Sequence, residues 1–441
     1  MSLHALWLTC PDRYEVDSIY EVLMRICFVA DARSPIATNW ITYFVQRGHD
    51  VHIISSYPCS GASYPNASIR EVTSGLSRRA VSQSVESGTT DPASGLLSRI
   101  TAEARTGRLS KVTFTLQHWV ERLGVGKRSD AIRDLLHQIK PDMIHAMRLP
   151  FEGITTALAD PQAPLLISIW GNDLTLFAKR FPLTSGLSRR ALQRADALHC
   201  DCNRDLNLAA EFGFDLHKPS IVVPGGGGIQ MEVFGAPQPD SKVRSRFDIP
   251  EDALLVCNPR GFRRYVRNDT FFRSAALTIK RRPDIVFAAV AMQGHPVAER
   301  WISSLGIKQS VRLLPILSRT EMAMLLRTSD VVVSASEHDG TPNTLLESMA
   351  AGAFPIVGNI ESVREWIIDG VNGRLLDPSD AQGFSEGILS AIADRELRSS
   401  AAVKNRQLIE DRAEYGSTMA KAERFYEQLI CKLEVHSASG F

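Results

Sequence analysis

The sequence predicts an α/β protein built of two doubly wound, parallel-sheet, Rossmann-like domains in tandem. Three observations lead there. The chain has 441 residues, too many for one ordinary core and enough for two domains of about 200 residues each. Short β-branched runs alternate with helix-like segments along its length, the pattern of parallel sheets covered by helices on both faces. Near the middle, four glycines (Gly225 to Gly228) follow a strand, and their dihedral freedom suits either a hinge or a loose loop.

Taken in order, residues 1–24 form an N-terminal extension. Met1 to Cys10 is apolar but lacks a basic leader and runs at once into Pro11-Asp12-Arg13, so it reads as neither a signal peptide nor an anchor. A first domain, 25–224, carries strands at 26–30, 51–55, 143–147, 165–170, 197–201 and 221–224. Within it, 60–110 is rich in Ser, Gly, Thr and Arg and reads as a mobile insertion. The helix that follows carries Phe114, Leu116, Trp119 and Leu123 and presents an apolar face either to the core or, weakly, to a membrane surface. A second domain, 225–410, carries strands at 254–258, 285–291, 311–315, 331–336 and 354–357. Residues 411–441 close the chain with a helix around Met419–Leu433. The octapeptide Thr-Ser-Gly-Leu-Ser-Arg-Arg-Ala occurs at both 73–80 and 184–191; its surroundings do not repeat, so it indicates no duplicated domain.

Composition narrows the function. A net charge of +1 gives no electrostatic footprint for nucleic acid. The seven cysteines lack metal spacing and suit free thiols in a reducing cytoplasm. No apolar run reaches the roughly 18 residues of a membrane-spanning helix, which leaves a cytoplasmic protein with at most a peripheral contact at the inner membrane face.

Residues Ser336 to Gly352 carry the strongest chemical signal. They read Ser-Glu-His-Asp-Gly-Thr-Pro-Asn-Thr-Leu-Leu-Glu-Ser-Met-Ala-Ala-Gly after the apolar run Val331-Val-Val. Asp339 and Glu347 thus flank a strand-to-helix corner, where ligands bind in open α/β sheets. Thr341 is expected as the N-cap and Pro342 as the first helical residue. The amides of Asn343 and Thr344, beyond the turn at Gly340, would then face an anion such as a diphosphate. Glu347 lies far enough along the helix to reach a neighbouring ribose. The competing reading makes Asp339-Gly340 a plain turn and Glu347 a solvent-facing residue. A second basic segment, Asn258-Pro-Arg260-Gly-Phe-Arg263-Arg264-Tyr-Val-Arg267, follows a strand and offers guanidinium forks suited to phosphate.

The stretch from Asp339 to Gly373 resembles the acid-x7-acid signature of retaining glycosyltransferases with the GT-B fold, family 4 (glycosyl transferases group 1). That signature runs Glu-Gly-Phe-Gly, Leu-Glu-Ala-Met-Ala-x-Gly-x-Pro, then Glu-x4-Gly-x-x-Gly. Its counterparts here are Asp339-Gly-Thr-Pro342, Leu346-Glu-Ser-Met-Ala-Ala-Gly352 with Pro355, and Glu365-Trp-Ile-Ile-Asp-Gly370-Val-Asn-Gly373. Asp339 replaces the first glutamate, and Glu361-Ser362 stands where the family commonly has paired glycines. The resemblance implies two domains facing across a cleft and a C-terminal helix crossing back to the first. It implies a nucleotide-diphosphate sugar donor, a hydroxyl acceptor (glycan, lipid-linked or small molecule) and transfer with retention.

The same resemblance assigns roles. Arg260 and Arg267, with Arg264 as a rival, would clamp the diphosphate; Glu347 would hold the ribose, and Asp339 the transferred sugar. On the acceptor side it points to Asp31, Arg33, Ser34, His145, Arg148, Asn172 and Asp173, with Met147 and Trp170 replacing two family histidines. No Asp-x-Asp pair occurs, so no metal or other cofactor is expected. An epimerase on the same fold and a non-catalytic nucleotide-sugar-binding protein are the alternatives.

Overall fold

The computed structural model describes residues 23–59, 64–73, 124–179, 182–236, 241–263 and 265–438. Seven strands form a first sheet: β1 (Arg25–Ala30), β2 (Asp50–Ser55), β3 (Ala67–Glu71), β4 (Met143–Ala146), β5 (Leu165–Ile169), β6 (Ala197–Cys200) and β7 (Ser220–Val222). Six form a second: β8 (Leu254–Asn258), β9 (Ile285–Ala289), β10 (Val311–Leu313), β11 (Val331–Ser334), β12 (Phe354–Gly358) and β13 (Arg374–Leu376). Every pairing in both is parallel. The helices used below are α1 (Pro35–Gln46), α2 (Val125–Ile139), α3 (Pro182–Arg194), α4 (Asn203–Glu211), α5 (Asn268–Arg281), α6 (Arg319–Arg327), α7 (Asn343–Ala351), α8 (Ala381–Ala393), α9 (Arg395–Ala413) and α10 (Tyr415–Ala438).

The central strands are buried along almost their whole length, as in the all-buried β4, β5, β6, β9, β11 and β12. That is why they read as continuous apolar runs rather than alternating ones. Strand order is β3-β2-β1-β4-β5-β6-β7 in the first sheet and β10-β9-β8-β11-β12-β13 in the second. Each order reverses once, between β1 and β4 and between β8 and β11. A crevice opens at such a reversal, outside the carboxyl ends of the strands.

Two strands depart from the expectation. β3 lies inside the segment read as a mobile insertion, yet residues 67–71 pair with β2 through Val51 to Ser55. β13 was not expected at all. Both are edge strands without a fully buried residue: β3 is largely polar (Ala-Ser-Ile-Arg-Glu), and β13 (Arg-Leu-Leu) is only three residues long, so neither gives a sustained apolar run. The rest of the insertion, the helix with Phe114 and Trp119, residues 1–22 and most of the first octapeptide copy lie outside the described residues. The second copy falls within α3.

The chain leaves the first sheet through Gly225–Gly228 and returns at Ala413–Tyr415. These two crossings run side by side: Ile229 donates to the Ala413 carbonyl at 2.7 Å, and Tyr415 donates back to Ile229 at 2.9 Å. Gly228 has φ 99°, and a Cβ there would lie 2.4 Å from the Ala413 oxygen, so close approach and backbone sign both demand glycine. From Tyr415, α10 packs on the first domain. Tyr43 donates to Glu423 at 2.8 Å, and His49 Nε2 lies 2.9 Å from the same carboxyl. Burial alone would raise the Glu423 carboxyl, but bonds from His49, Tyr43 and Arg47 hold it below its ordinary value. Among the described residues, no helix is long and apolar enough to cross a membrane.

Candidate active site

At the β8/β11 reversal the second domain brings its arginine loop onto its acidic turn. Arg260, two residues past β8, donates through Nη2 to Asp339 Oδ2 at 2.5 Å and through Nη1 to the Thr344 hydroxyl at 3.2 Å. Its Nε is buried without a partner. Burial outweighs Arg260's attraction and holds the Asp339 carboxyl above its ordinary value. Glu347, on α7, makes no hydrogen bond among the described residues. Burial pushes its carboxyl up to about 7, against the pull of Arg319 and Arg260. The amides of Asn343 and Thr344 at the start of α7 likewise have no acceptor among the described residues, so the helix offers two free donors at its positive end.

Three expected details are corrected. The N-cap of α7 is Pro342, with ψ 117° and no side-chain cap, so the helix starts one residue late. Thr341 is drawn away: its hydroxyl donates to the Asp201 carbonyl of the first domain and accepts from Trp366 Nε1 at 3.2 Å. Arg267 does not join Arg260. It forms a two-pronged pair with Asp269, 2.9 Å on each prong, and reaches Glu337 at 3.2 Å, so two carboxylates already hold its charge. Arg264 lies outside the described residues.

The first domain closes directly on the acidic turn. Gly171 packs on Gly340 so tightly that a Cβ on Gly171 would lie 1.7 Å from the Gly340 nitrogen. Arg204, buried at the start of α4, donates to the Asp339 carbonyl at 2.6 Å and to the Gly171 carbonyl at 2.8 Å. Its fork is fixed by Asp205 at 3.0 and 2.6 Å. Ser362 donates to the same Asp339 carbonyl at 2.8 Å, so the residue that departs from the family's glycines supports the turn instead. Glu365 accepts from the Asn203 and Arg204 amides at 3.0 and 3.1 Å. A second-domain carboxylate thus caps a first-domain helix that has no side-chain cap of its own. Burial first, then Asp205, push Asp201 far above the usual carboxylate range, and it stands against Gly340, where a Cβ would meet its oxygen at 2.3 Å.

On the acceptor side the structure brings Asp31, Ser34 and Arg148 around one cavity and places His145 in the core. Asp31 is paired with Arg33 at 3.0 Å on both prongs, and Arg33 stacks 4.7 Å from the Tyr57 ring centroid. Ser34 stands at the N-cap of α1 without using its hydroxyl to cap. Asp173 is fully buried. It accepts from Arg148 Nε and from the Trp170 amide, both at 3.1 Å, so it orients Arg148 and the turn. Burial pushes it up to about 6. Asn172 has a buried amide oxygen with no partner.

His145 does not face the cleft. It lies wholly inside the core, its Nδ1 2.5 Å from the Tyr426 hydroxyl and its Nε2 2.6 Å from Ser168 Oγ. Ser168 continues to His199 Nδ1 at 2.7 Å, and His199 Nε2 to the Val223 carbonyl at 3.0 Å. Trp40 Nε1 donates to Tyr426 at 2.8 Å. One proton arrangement satisfies the whole chain, with both imidazoles neutral, Tyr426 donating to His145 and Ser168 to His199. Burial lowers both histidines, His199 to about 4.

Comparison with known proteins matches residues 240–408 to the family model for glycosyl transferases group 1, and 109–202 to the model for glycosyl transferase 4-like proteins. The chain belongs to the group 1 glycosyltransferases. Its fold is GT-B. Anabaena HepE, solved with UDP, superposes with a TM-score of 0.69 at 14% identity, covering 92% of this chain and 100% of that one. Sucrose-phosphate synthase from Thermosynechococcus elongatus superposes at 0.70 and 13%, with the same coverage. D-inositol 3-phosphate glycosyltransferase of Thermobispora bispora is 26% identical over 38% of this chain and 41% of its own length. The lipopolysaccharide core biosynthesis glycosyltransferase LpsE of Rhizobium meliloti is 27% identical over 38% and 47%. The chain spans about half the length of the curated relatives it matches.

For a group 1 glycosyltransferase, several contacts around the signature escaped the sequence. Arg319, at the start of α6, donates to Asn39 of α1 at 3.1 Å while attracting Glu347. Arg204, Ser362 and Glu365 hold the seam between the domains. Arg319 and Arg204 stand in no local pattern, whereas Glu365 and Ser362 lie in or beside the signature and only their partners, far along the chain, were not legible. Asp201, Cys202 and Asp205 have ligand atoms within 4.8 Å of one another. The Arg204 guanidinium already lies on Asp205 there, and burial raises the Asp201 carboxyl, so both oppose a cation.

Proposed function

We propose that this glycosyltransferase moves a sugar from a nucleotide-diphosphate donor to an acceptor hydroxyl, with retention at the anomeric carbon and without a metal ion. One observation carries the reading. Arg260, the free amides of Asn343 and Thr344, and the unpartnered Glu347 carboxyl converge at the β8/β11 crevice. A diphosphate placed there meets the positive end of α7 and a guanidinium fork, which together offset the charge that develops as the sugar leaves. Glu347 can then accept from both ribose hydroxyls. Asp339, which Arg260 holds in this structure, is freed for sugar hydroxyls when phosphate takes over the arginine.

The protein supplies position and charge rather than a nucleophile, and the departing phosphate takes the acceptor's proton on the same face of the sugar. The UDP bound by the HepE neighbour makes uridine diphosphate the first nucleotide to try. Melting curves with uridine, guanosine and adenosine diphosphates test the reading. One of them is expected to raise the melting temperature in proportion to the logarithm of its concentration, and Glu347→Ala to remove the shift. No stabilisation by any of the three overturns it.

A further inference from the structure

We propose that the cavity at the β1/β4 crevice seats the acceptor as an uncharged, polyhydroxylated ring, and that Glu152 is the residue that selects for it. This rests on the transferase reading above. The cavity, about 140 Å³, is lined by Asp31, Ser34, Tyr57, Arg148, Glu152 and Trp170 among others. It occupies the strand-order reversal of the first sheet, the counterpart of the place where Arg260 meets Asp339 in the second. Trp170 immediately precedes Gly171, whose backbone packs on Gly340, so the cavity lies one residue from the donor signature.

Its polar groups are preset and unspent. Arg148 commits only Nε, to Asp173; its two Nη groups donate to nothing among the described residues. The guanidinium rests against the rings of Phe151, Phe177 and Trp170, at 5.0, 5.3 and 5.7 Å, which fixes its plane. Glu152 is 3% exposed. Its Oε1 accepts from Ser56 at 2.5 Å, while its Oε2 is buried without a partner. Ser34 keeps a hydroxyl that caps nothing. The cavity therefore sets donors beside acceptors.

That mixture decides the ligand class. A hydroxyl both donates and accepts, so two neighbouring hydroxyls on one ring satisfy Arg148 and Glu152 together. A phosphate or carboxylate only accepts; it would use Arg148 and then face the oxygens of Glu152 and Asp31. The fixed cavity size suits one ring rather than an extended chain.

Ligand-observed NMR on the full chain, with uridine diphosphate present, tests this using methyl pyranosides, cyclitols and the monophosphate esters of both. Neutral probes are expected to bind and their esters to bind no tighter. Glu152→Gln keeps the shape and the Ser56 contact but replaces the second carboxyl oxygen by an amide that only donates. It is expected to weaken neutral probes about tenfold, the loss of one hydrogen bond to that oxygen. Glu152→Ala is expected to abolish them. In both variants the affinity for uridine diphosphate should match the wild type, which shows an intact fold. Three results overturn the proposal: no neutral probe binds, the esters bind tighter than their parents, or Glu152→Ala binds like wild type. A chain that binds no nucleotide at all fails the transferase reading instead, whatever the cavity does.

Discussion

Glu347 shows what one residue stores when it waits for a ligand. Its carboxyl is half-buried, lacks a hydrogen bond among the described residues, and is pushed up to about 7 from an ordinary value near 4.5. The folded chain therefore binds this proton more tightly than the unfolded chain. Stability falls as pH rises from about 4.5 to about 7, and stays lowered above. Glu347→Gln should stabilise the protein at pH 8, on the order of 1 kcal/mol allowing for the water that reaches the group, and leave it unchanged at pH 4. Nucleotide binding should move the other way. Two ribose hydroxyls need the ionised form, so wild-type affinity should rise between pH 6 and 8, while the glutamine variant binds about tenfold or more weakly with a flat profile. Melting curves and calorimetric titrations at three pH values check both halves. A variant that loses stability, or that keeps the wild-type pH slope, contradicts the assignment. The pair Asp339 and Glu347 was legible because both acids stand in one short strand-turn-helix segment. Glu152 was not, since nothing local marks a glutamate that folds inward beneath Ser56.

At the scale of elements, α10 is tied to the first domain by a buried relay rather than by apolar contact alone. Tyr426 accepts from Trp40 and donates to His145, so its hydroxyl serves an α1 residue and a β4 residue at once. Tyr426→Phe keeps the ring stacked on Phe44, at 4.6 Å between centroids, and leaves two buried polar groups unpaired. That should cost about 1–3 kcal/mol. Hydrogen exchange should show it as faster opening of α10 and β4 amides, with β11 and β12 unchanged; uniform loss of protection in both domains would argue against a local tie. The same relay explains why the strand histidine was misplaced. The sequence shows His145 at the carboxyl end of β4, a functional address, and its true partner lies 281 positions away. Central strands were readable because burial on both faces makes them uniformly apolar. β3 was not, because an edge strand can stay polar, and β13 was not, because three residues are too short to show a run.

For the whole molecule, the seam between the domains is built on the donor signature itself. Arg204 holds the carbonyls of Gly171 and Asp339 with one guanidinium, and Glu365 caps α4 from the opposite domain. The first domain therefore helps set the turn that carries Asp339, although every group proposed to bind the donor stands on the second. Arg204→Ala leaves Asp205 buried without its counter-charge, a loss of about 3–5 kcal/mol in comparable buried pairs, much of it falling on the closed arrangement. Arg204→Lys keeps the charge but cannot hold both carbonyls as a planar fork does. Once a donor and acceptor are in hand, turnover should fall about 10- to 100-fold in the alanine variant and less in the lysine variant. Affinity for the bare nucleotide should change little in either, because Arg260, α7 and Glu347 do not touch Arg204. Small-angle scattering should show the alanine variant more extended. Nucleotide affinity lost in step with turnover would mean that Arg204 merely supports the second domain's fold; unchanged turnover would mean that closure on Asp339 contributes nothing to transfer.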